Sequence, residues 1–86
     1  MSEIEVYSTA VCPYCVAAKN LLQARGLAYK EMRIDADPVA RKAMLERAPA
    51  ARTVPQIFVN GVHVGGFDQL AEADRSGRLD ELLAAG

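Results

Sequence analysis

No segment of this chain approaches the roughly 20 consecutive apolar residues that span a bilayer, so a transmembrane helix is not expected. Charge of either sign is not in excess: ten Lys and Arg against eleven Asp and Glu leave a formal net charge of −1. Scattered as they are, the ten basic residues offer no field for nucleic acid and no polybasic anchor for lipid. Met1-Ser2-Glu3-Ile4-Glu5 is acidic and lacks the apolar run of a secretory signal, so a cytoplasmic protein is expected, without nucleic-acid or membrane partners. Two cysteines and one histidine fall short of the four ligands of a structural zinc site. Repeats, low-complexity tracts and linkers are also missing. Eighty-six residues leave no room for a second core, so a single domain over residues 1–86 is expected.

What remains is a composition that is 51% hydrophobic and 24% charged, enough apolar content for a short chain to fold without staples. A first strand fits Glu3 to Ser8, where Ile4 and Val6 alternate with Glu5 and Tyr7. Pro13 suits the first position of a helix, where its missing N–H has no partner to lose. Val16, Ala17, Ala18, Leu21, Leu22 and Ala24 follow at helical spacing, and Gly26 is a natural stop. A second strand fits Ala28 to Ile34, completing a βαβ unit with parallel strands. Asp37-Pro38 then starts a second helix through Val39, Met44 and Leu45, ending near Ala48 because Pro49 follows. Gln56 to Val59, Asn60-Gly61 and Val62 to Val64 read as a hairpin with a type I′ turn. After Gly65-Gly66, Asp68 is expected to cap a third helix ending at Ser76-Gly77, with a short helical segment from Leu79 to Ala85. This order predicts a four-stranded mixed sheet with helices on both faces. Glu3 and Glu5 would by pattern leave the first strand half exposed, but the topology would put it inside the sheet and outweighs one strand's alternation.

Cys12-Pro13-Tyr14-Cys15 carries the chemistry. In a reducing compartment two cysteines at this spacing beside a βαβ unit suggest redox catalysis rather than a staple. A disulfide across two intervening residues also closes too small a loop to stabilise much. Cys12 is expected at the N-cap facing solvent, and Cys15 one turn on and deeper. A free thiol with pKa about 8.5 is only about 3% thiolate at neutral pH, so lowering the pKa can raise that population at most roughly thirty-fold. It also makes Cys12 a better leaving group. Each unit needs about 1.4 kcal/mol, whereas a helix dipole supplies roughly 0.3–1 and at most about 2 kcal/mol. Free first-turn N–H groups must supply the rest. His63, alternating with Val62 and Val64, is expected to face solvent, and no metal is expected.

Three segments together, Cys12-Pro13-Tyr14-Cys15, Arg52-Thr53-Val54-Pro55-Gln56-Ile57-Phe58-Val59 and Gly65-Gly66-Phe67-Asp68, resemble the short dithiol glutaredoxins of bacteria, and the resemblance covers essentially the whole chain. It implies a thioredoxin-like α/β fold with strand order 2-1-3-4, the third strand antiparallel to the first, and a cis peptide between Val54 and Pro55. It implies glutathione as co-substrate, with Cys12 and Cys15 catalytic. The glutathione contacts implied are Tyr14, Arg52, Thr53, Val54, Pro55, Gly66, Phe67 and Asp68. Val54 would align the cysteine portion through its N–H and C=O, like an added strand. Gly66, Phe67 and Asp68 would hold the γ-glutamyl carboxylate at a helix start, with the Asp68 carboxylate facing the α-ammonium or simply capping the helix. Tyr14 would border the groove.

Three departures stand out. Thr9 occupies the place where many relatives have Lys for the glycine carboxylate, which leaves Arg52, or more weakly Arg41 or Lys42, to supply the charge. Phe67 replaces an additional Cys of many relatives. Ala48-Pro49-Ala50-Ala51 replaces a loop often rich in Gly. The activity implied is reduction of protein–glutathione mixed disulfides through Cys12 alone, and of protein or small disulfides through Cys12 and Cys15. The expected partners are glutathione and disulfide-bearing or glutathionylated proteins, with the chain a monomer. The alternative is an iron–sulfur carrier, two chains holding a cluster with one thiolate each and two glutathiones; Pro13 disfavours it. A thioredoxin reduced by a flavoenzyme is disfavoured by the missing Trp before the cysteine pair.

Overall fold

The computed structural model describes residues 3–85; Met1, Ser2 and Gly86, part of the N-terminal reading and of the expected domain span, lie outside them. The elements run β1 (Ile4–Ser8), α1 (Pro13–Ala24), β2 (Lys30–Arg33), α2 (Pro38–Arg47), β3 (Gln56–Val59), β4 (Val62–Gly65), α3 (Phe67–Ser76) and α4 (Arg78–Ala84). The sheet has the expected order β2-β1-β3-β4, with β2 parallel to β1 and β3 antiparallel to it.

β1 is central, and its two-residue alternation feeds two cores. Ile4 and Val6 join Ile57 and Val59 of β3 on one face, beneath Ala18 and Leu22 of α1, Leu70 and Ala73 of α3 and Leu79 of α4. Tyr7 and Phe58 line the other face under Met44 of α2 and Ala48. β1 therefore lies inside the sheet, as the topology requires despite Glu5, and the physical reason is visible. Arg47, at the end of α2, reaches across that face and its Nη2 lies 3.0 Å from the Glu5 carboxylate, so the charge is neutralised at the rim rather than excluded from the sheet.

Pro13 and Pro38 each occupy the first position of a helix, behind Cys12 and Asp37 as N-caps. The Asp37 carboxylate accepts from the Val39 N–H at 3.0 Å. Ala40 and Met44, one turn apart, form the buried stripe of α2, whereas Val39 and Leu45 lie on its exposed flank. Asn60 and Gly61, at φ 51° and 83°, make the tight hairpin turn that places β4 beside β3. Most expected boundaries hold to within a residue, and the larger shifts are in β2 and at the start of α3. β2 begins at Lys30, because Leu27 is still tied to Leu22 through its N–H, and it ends before Ile34. The N-cap of α3 is Gly66, not Asp68, which is the second helical residue.

Candidate redox site

The strand-to-helix connection after β1 delivers Cys12 to the N-cap and Cys15 to the third position of α1, as the spacing predicts. Their Cα atoms are 5.1 Å apart and the sulfurs form a disulfide. Cys15 is 1% exposed, whereas Cys12 is partly open to solvent between exposed Val11 and Tyr14. The Cys15 N–H donates to the Cys12 sulfur at 3.1 Å. On reduction the same donor faces a thiolate, and hydrogen bonds to charged groups contribute roughly 1.5–3 kcal/mol. Added to the dipole, this supplies the one or more pKa units that the dipole alone does not. The same sulfur lies 3.6 Å from the Val54 carbonyl oxygen.

The loop before Cys12 is anchored from β2 and its following turn. The Ala10 N–H donates to Asp35 Oδ2 at 3.0 Å, and Arg33 grips both Asp35 oxygens at 2.8 Å. That guanidinium, followed by the Ala10 N–H, holds the Asp35 carboxyl well below the usual carboxylate range. Buried Ser8 donates to Glu31 at 2.6 Å while Lys19 of α1 donates at 2.9 Å. These contacts, the serine first, lower the Glu31 pKa as well. Apart from Arg33 and Asp35, two residues apart, these partners are not predicted from local spacing, since their bonds join residues 12 to 25 positions apart in the chain.

Seven of the eight expected glutathione contacts converge on one groove of about 320 Å³. Thr53, Val54 and Pro55 form one wall, with the Val54–Pro55 peptide cis as expected. Gly66, Phe67 and Asp68 at the start of α3 face them, and Tyr14 stands at the rim, its ring centroid 6.3 Å from that of Phe67. Arg52 is the exception. It lines an adjoining cavity of about 510 Å³ together with Thr9 and Arg41, so the two arginines named from sequence share the space beside the position where Lys was missed. Lys42 does not join them and lies 4.0 Å from Glu46 instead. Gln69 was missed by sequence reading: its Oε1 accepts from the Gly66 N–H at 2.9 Å. That amide is therefore already used, and the free first-turn donors of α3 begin at Phe67. A Gln three residues beyond the N-cap is a recognisable capping signal, obscured here by assigning the cap to Asp68.

Among the described residues no three His, Cys, Asp or Glu side chains gather as metal ligands would, and no helix is long and apolar enough to cross a membrane. His63 is exposed, as expected, but its ring stacks on Phe58 with centroids 4.7 Å apart.

A sulfur at a helix N-cap, a second sulfur buried one turn on and a backbone-lined groove beside them define a dithiol–disulfide oxidoreductase of thioredoxin-like fold. The glutaredoxin family model matches residues 4–64. The chain is 46% identical over 85 residues to the glutaredoxin of Pseudomonas aeruginosa, covering 99% of this chain and all of that one. It is 42% identical over 83 residues to glutaredoxin 3 of Escherichia coli, covering 96% and 99%. Among solved structures it is similar to the buckwheat glutaredoxin–glutathione complex, with TM-score 0.84, 31% identity and coverage of 98% and 78%. It is also similar to the glutaredoxin of Brucella melitensis, with TM-score 0.78, 42% identity and coverage of 94% and 87%. The chain belongs to the glutaredoxin family and is a glutathione-dependent thiol–disulfide oxidoreductase.

Proposed function

We propose that Cys12 is the attacking sulfur and that the groove between Val54 and Phe67 holds glutathione. The Cys12 thiolate attacks the glutathione sulfur of a protein mixed disulfide, forming a Cys12–glutathione disulfide and releasing the protein thiolate. A second glutathione thiolate then attacks that adduct, giving oxidised glutathione and restoring Cys12. With a protein disulfide, Cys12 forms the mixed disulfide first and Cys15 displaces the protein thiol. The resulting Cys12–Cys15 disulfide, the state of this structure, is reduced by two glutathiones. The observation that carries this reading is the Cys15 N–H directed at the Cys12 sulfur, next to the Val54 carbonyl.

In the groove, Val54 pairs its main-chain N–H and C=O with the cysteine portion of glutathione. The first-turn amides of α3, at Phe67 and Asp68, receive the γ-glutamyl carboxylate; Asp68 faces the α-ammonium, and Thr53, Pro55, Gly66 and Tyr14 shape the walls. The glycine carboxylate extends toward Arg52 and Arg41. The chain acts as a monomer, in one unit spanning residues 1–86, and in the cytoplasm, where glutathione-driven reduction is favoured. Its acceptors are glutathionylated and disulfide-bearing proteins.

A coupled assay with a small disulfide, glutathione, glutathione reductase and NADPH tests this reading. The wild-type protein is expected to sustain NADPH oxidation that depends on glutathione. Exposed ion pairs contribute roughly 0.2–1 kcal/mol each, so Arg41→Ala with Arg52→Ala is expected to raise the KM for glutathione about three- to tenfold with little change in kcat. An unchanged KM would place the glycine carboxylate elsewhere.

A further inference from the structure

A second cavity, of about 590 Å³, shares Thr53 with the groove and is lined also by Gln56 and His63. Gln56 is only 6% exposed, and both ends of its amide are engaged. Its Nε2 donates to the Thr53 carbonyl at 2.9 Å, and its Oε1 lies 2.6 Å from His63 Nε2. The proton positions along this chain follow from chemistry. A carbonyl oxygen only accepts, so Gln56 must turn its NH₂ toward Thr53 and its oxygen toward His63. His63 must then carry hydrogen on Nε2. The imidazole is held in place by its stack on Phe58, which is itself 2% exposed and packed edge-on against Tyr7.

We propose that His63 and Gln56 are positioning residues for glutathione, acting through the Thr53–Val54 peptide. This inference rests on the reading of Val54 as the groove's backbone contact. The Thr53–Val54 peptide is trans, since the cis bond falls one residue later, and in a planar trans peptide the C=O of one residue and the N–H of the next point in opposite directions. Pinning the Thr53 oxygen on Gln56 therefore fixes the rotation of that plane and directs the Val54 N–H away from Gln56, toward the groove. No hydrogen bond within the described residues occupies that N–H, so it is free for a ligand. The short loop between Arg52 and Pro55 belongs to no helix or strand, and the side-chain relay supplies the orientation that a sheet ladder would otherwise impose. The chain of contacts runs from Phe58 through His63 and Gln56 to the substrate-facing amide, without any of these side chains touching glutathione.

Two substitutions separate this role from simple packing. His63→Phe keeps an aromatic ring on Phe58 but loses the donor, whereas His63→Gln keeps an N–H donor of similar reach but loses the stack. With a glutathionylated peptide as substrate, His63→Phe is expected to raise KM roughly three- to tenfold, the scale of losing one orienting hydrogen bond, with kcat within about twofold. His63→Gln is expected to bring KM back to within about twofold of wild type. In a Gln56→Met background, which already breaks the relay, His63→Phe is expected to add nothing further. Should His63→Phe fail to fold, as judged by its circular dichroism, Gln56→Met alone must show the KM rise. An unchanged KM in folded His63→Phe, or a larger defect in His63→Gln than in His63→Phe, overturns the proposal. The wild-type protein is run alongside: if it fails to deglutathionylate the peptide, the functional reading has failed, which is a different result from a wild type that works and a variant that matches it.

Discussion

Cys12→Ser is expected to abolish turnover with every disulfide substrate, whereas Cys15→Ser retains deglutathionylation and loses the reduction of protein disulfides. The asymmetry follows from burial and from the direction of one hydrogen bond. Cys12 is the partly exposed sulfur and receives the Cys15 N–H. A serine hydroxyl there remains protonated at neutral pH and does not attack a disulfide sulfur, so no mixed disulfide forms and there is nothing to resolve. Cys15 is 1% exposed and can reach only a sulfur already attached at Cys12. Its side chain is needed where the substrate's own second thiol must be displaced, and not where an external glutathione performs the second attack. The backbone N–H at position 15 survives Cys15→Ser, so activation of Cys12 survives with it. Steady-state rates with a glutathionylated peptide and with a dithiol protein substrate, measured on both variants, check the scheme. A Cys15→Ser protein inactive toward both substrates would contradict it.

Phe58→Ala is expected to destabilise the fold by about 3–5 kcal/mol, the usual cost of truncating a buried Phe. A domain of this size has about 5–15 kcal/mol in total, so the loss is a large fraction of its stability. Phe58 is the keystone of the α2 face. It meets Tyr7 edge-on at 5.7 Å, carries the Arg47 guanidinium 3.9 Å from its ring centroid and supports His63 on its plane. Aromatic pairs add roughly 0.5–1.5 kcal/mol beyond area burial, and a cation over a ring about 0.5–2 kcal/mol. Truncation also releases Arg47 from one of its supports, and with it part of the neutralisation of Glu5. Phe58→Leu, which fills much of the volume without the ring, is expected to recover well over half of the loss. Urea unfolding of the three proteins measures both differences. A shift in Phe58→Ala below about 1.5 kcal/mol, far under the range for a buried aromatic, would show that the face is not packed as described.

The elements that were legible in the sequence are those whose signals are local. Asn60-Gly61 specifies its own backbone conformation, Asp37-Pro38 and Cys12-Pro13 each combine a cap with a residue suited to the first helical turn, and the dithiol spacing fixes which cysteine is buried. Where local pattern was a poor guide, a distant partner decided the outcome. Glu5 is tolerated in a central strand because Arg47, 42 residues on, meets it. Ser8 and Glu31, and Ala10 and Asp35, find each other only once β2 lies beside β1. At α3 the cap fell to Gly66 because Gln69 reaches back to it, a local signal that the more conspicuous Asp68 masked. Among the groove residues, the 53–55 and 66–68 segments, far apart in the chain, line one groove. Arg52 belongs to the adjoining cavity because it precedes the turn into the groove, and its joint position with Arg41 depends on how α2 packs, which no motif encodes.

The direct test of the central claim is a titration of thiolate absorbance at Cys12 in reduced Cys15→Ser protein, which leaves a single sulfur to observe. With the residue-15 amide and the start of α1 holding the anion, ionisation is expected at least one pH unit below the value of about 8.5 for a free thiol. A midpoint at or above that value would mean that the helix start does not activate Cys12 and would contradict the account.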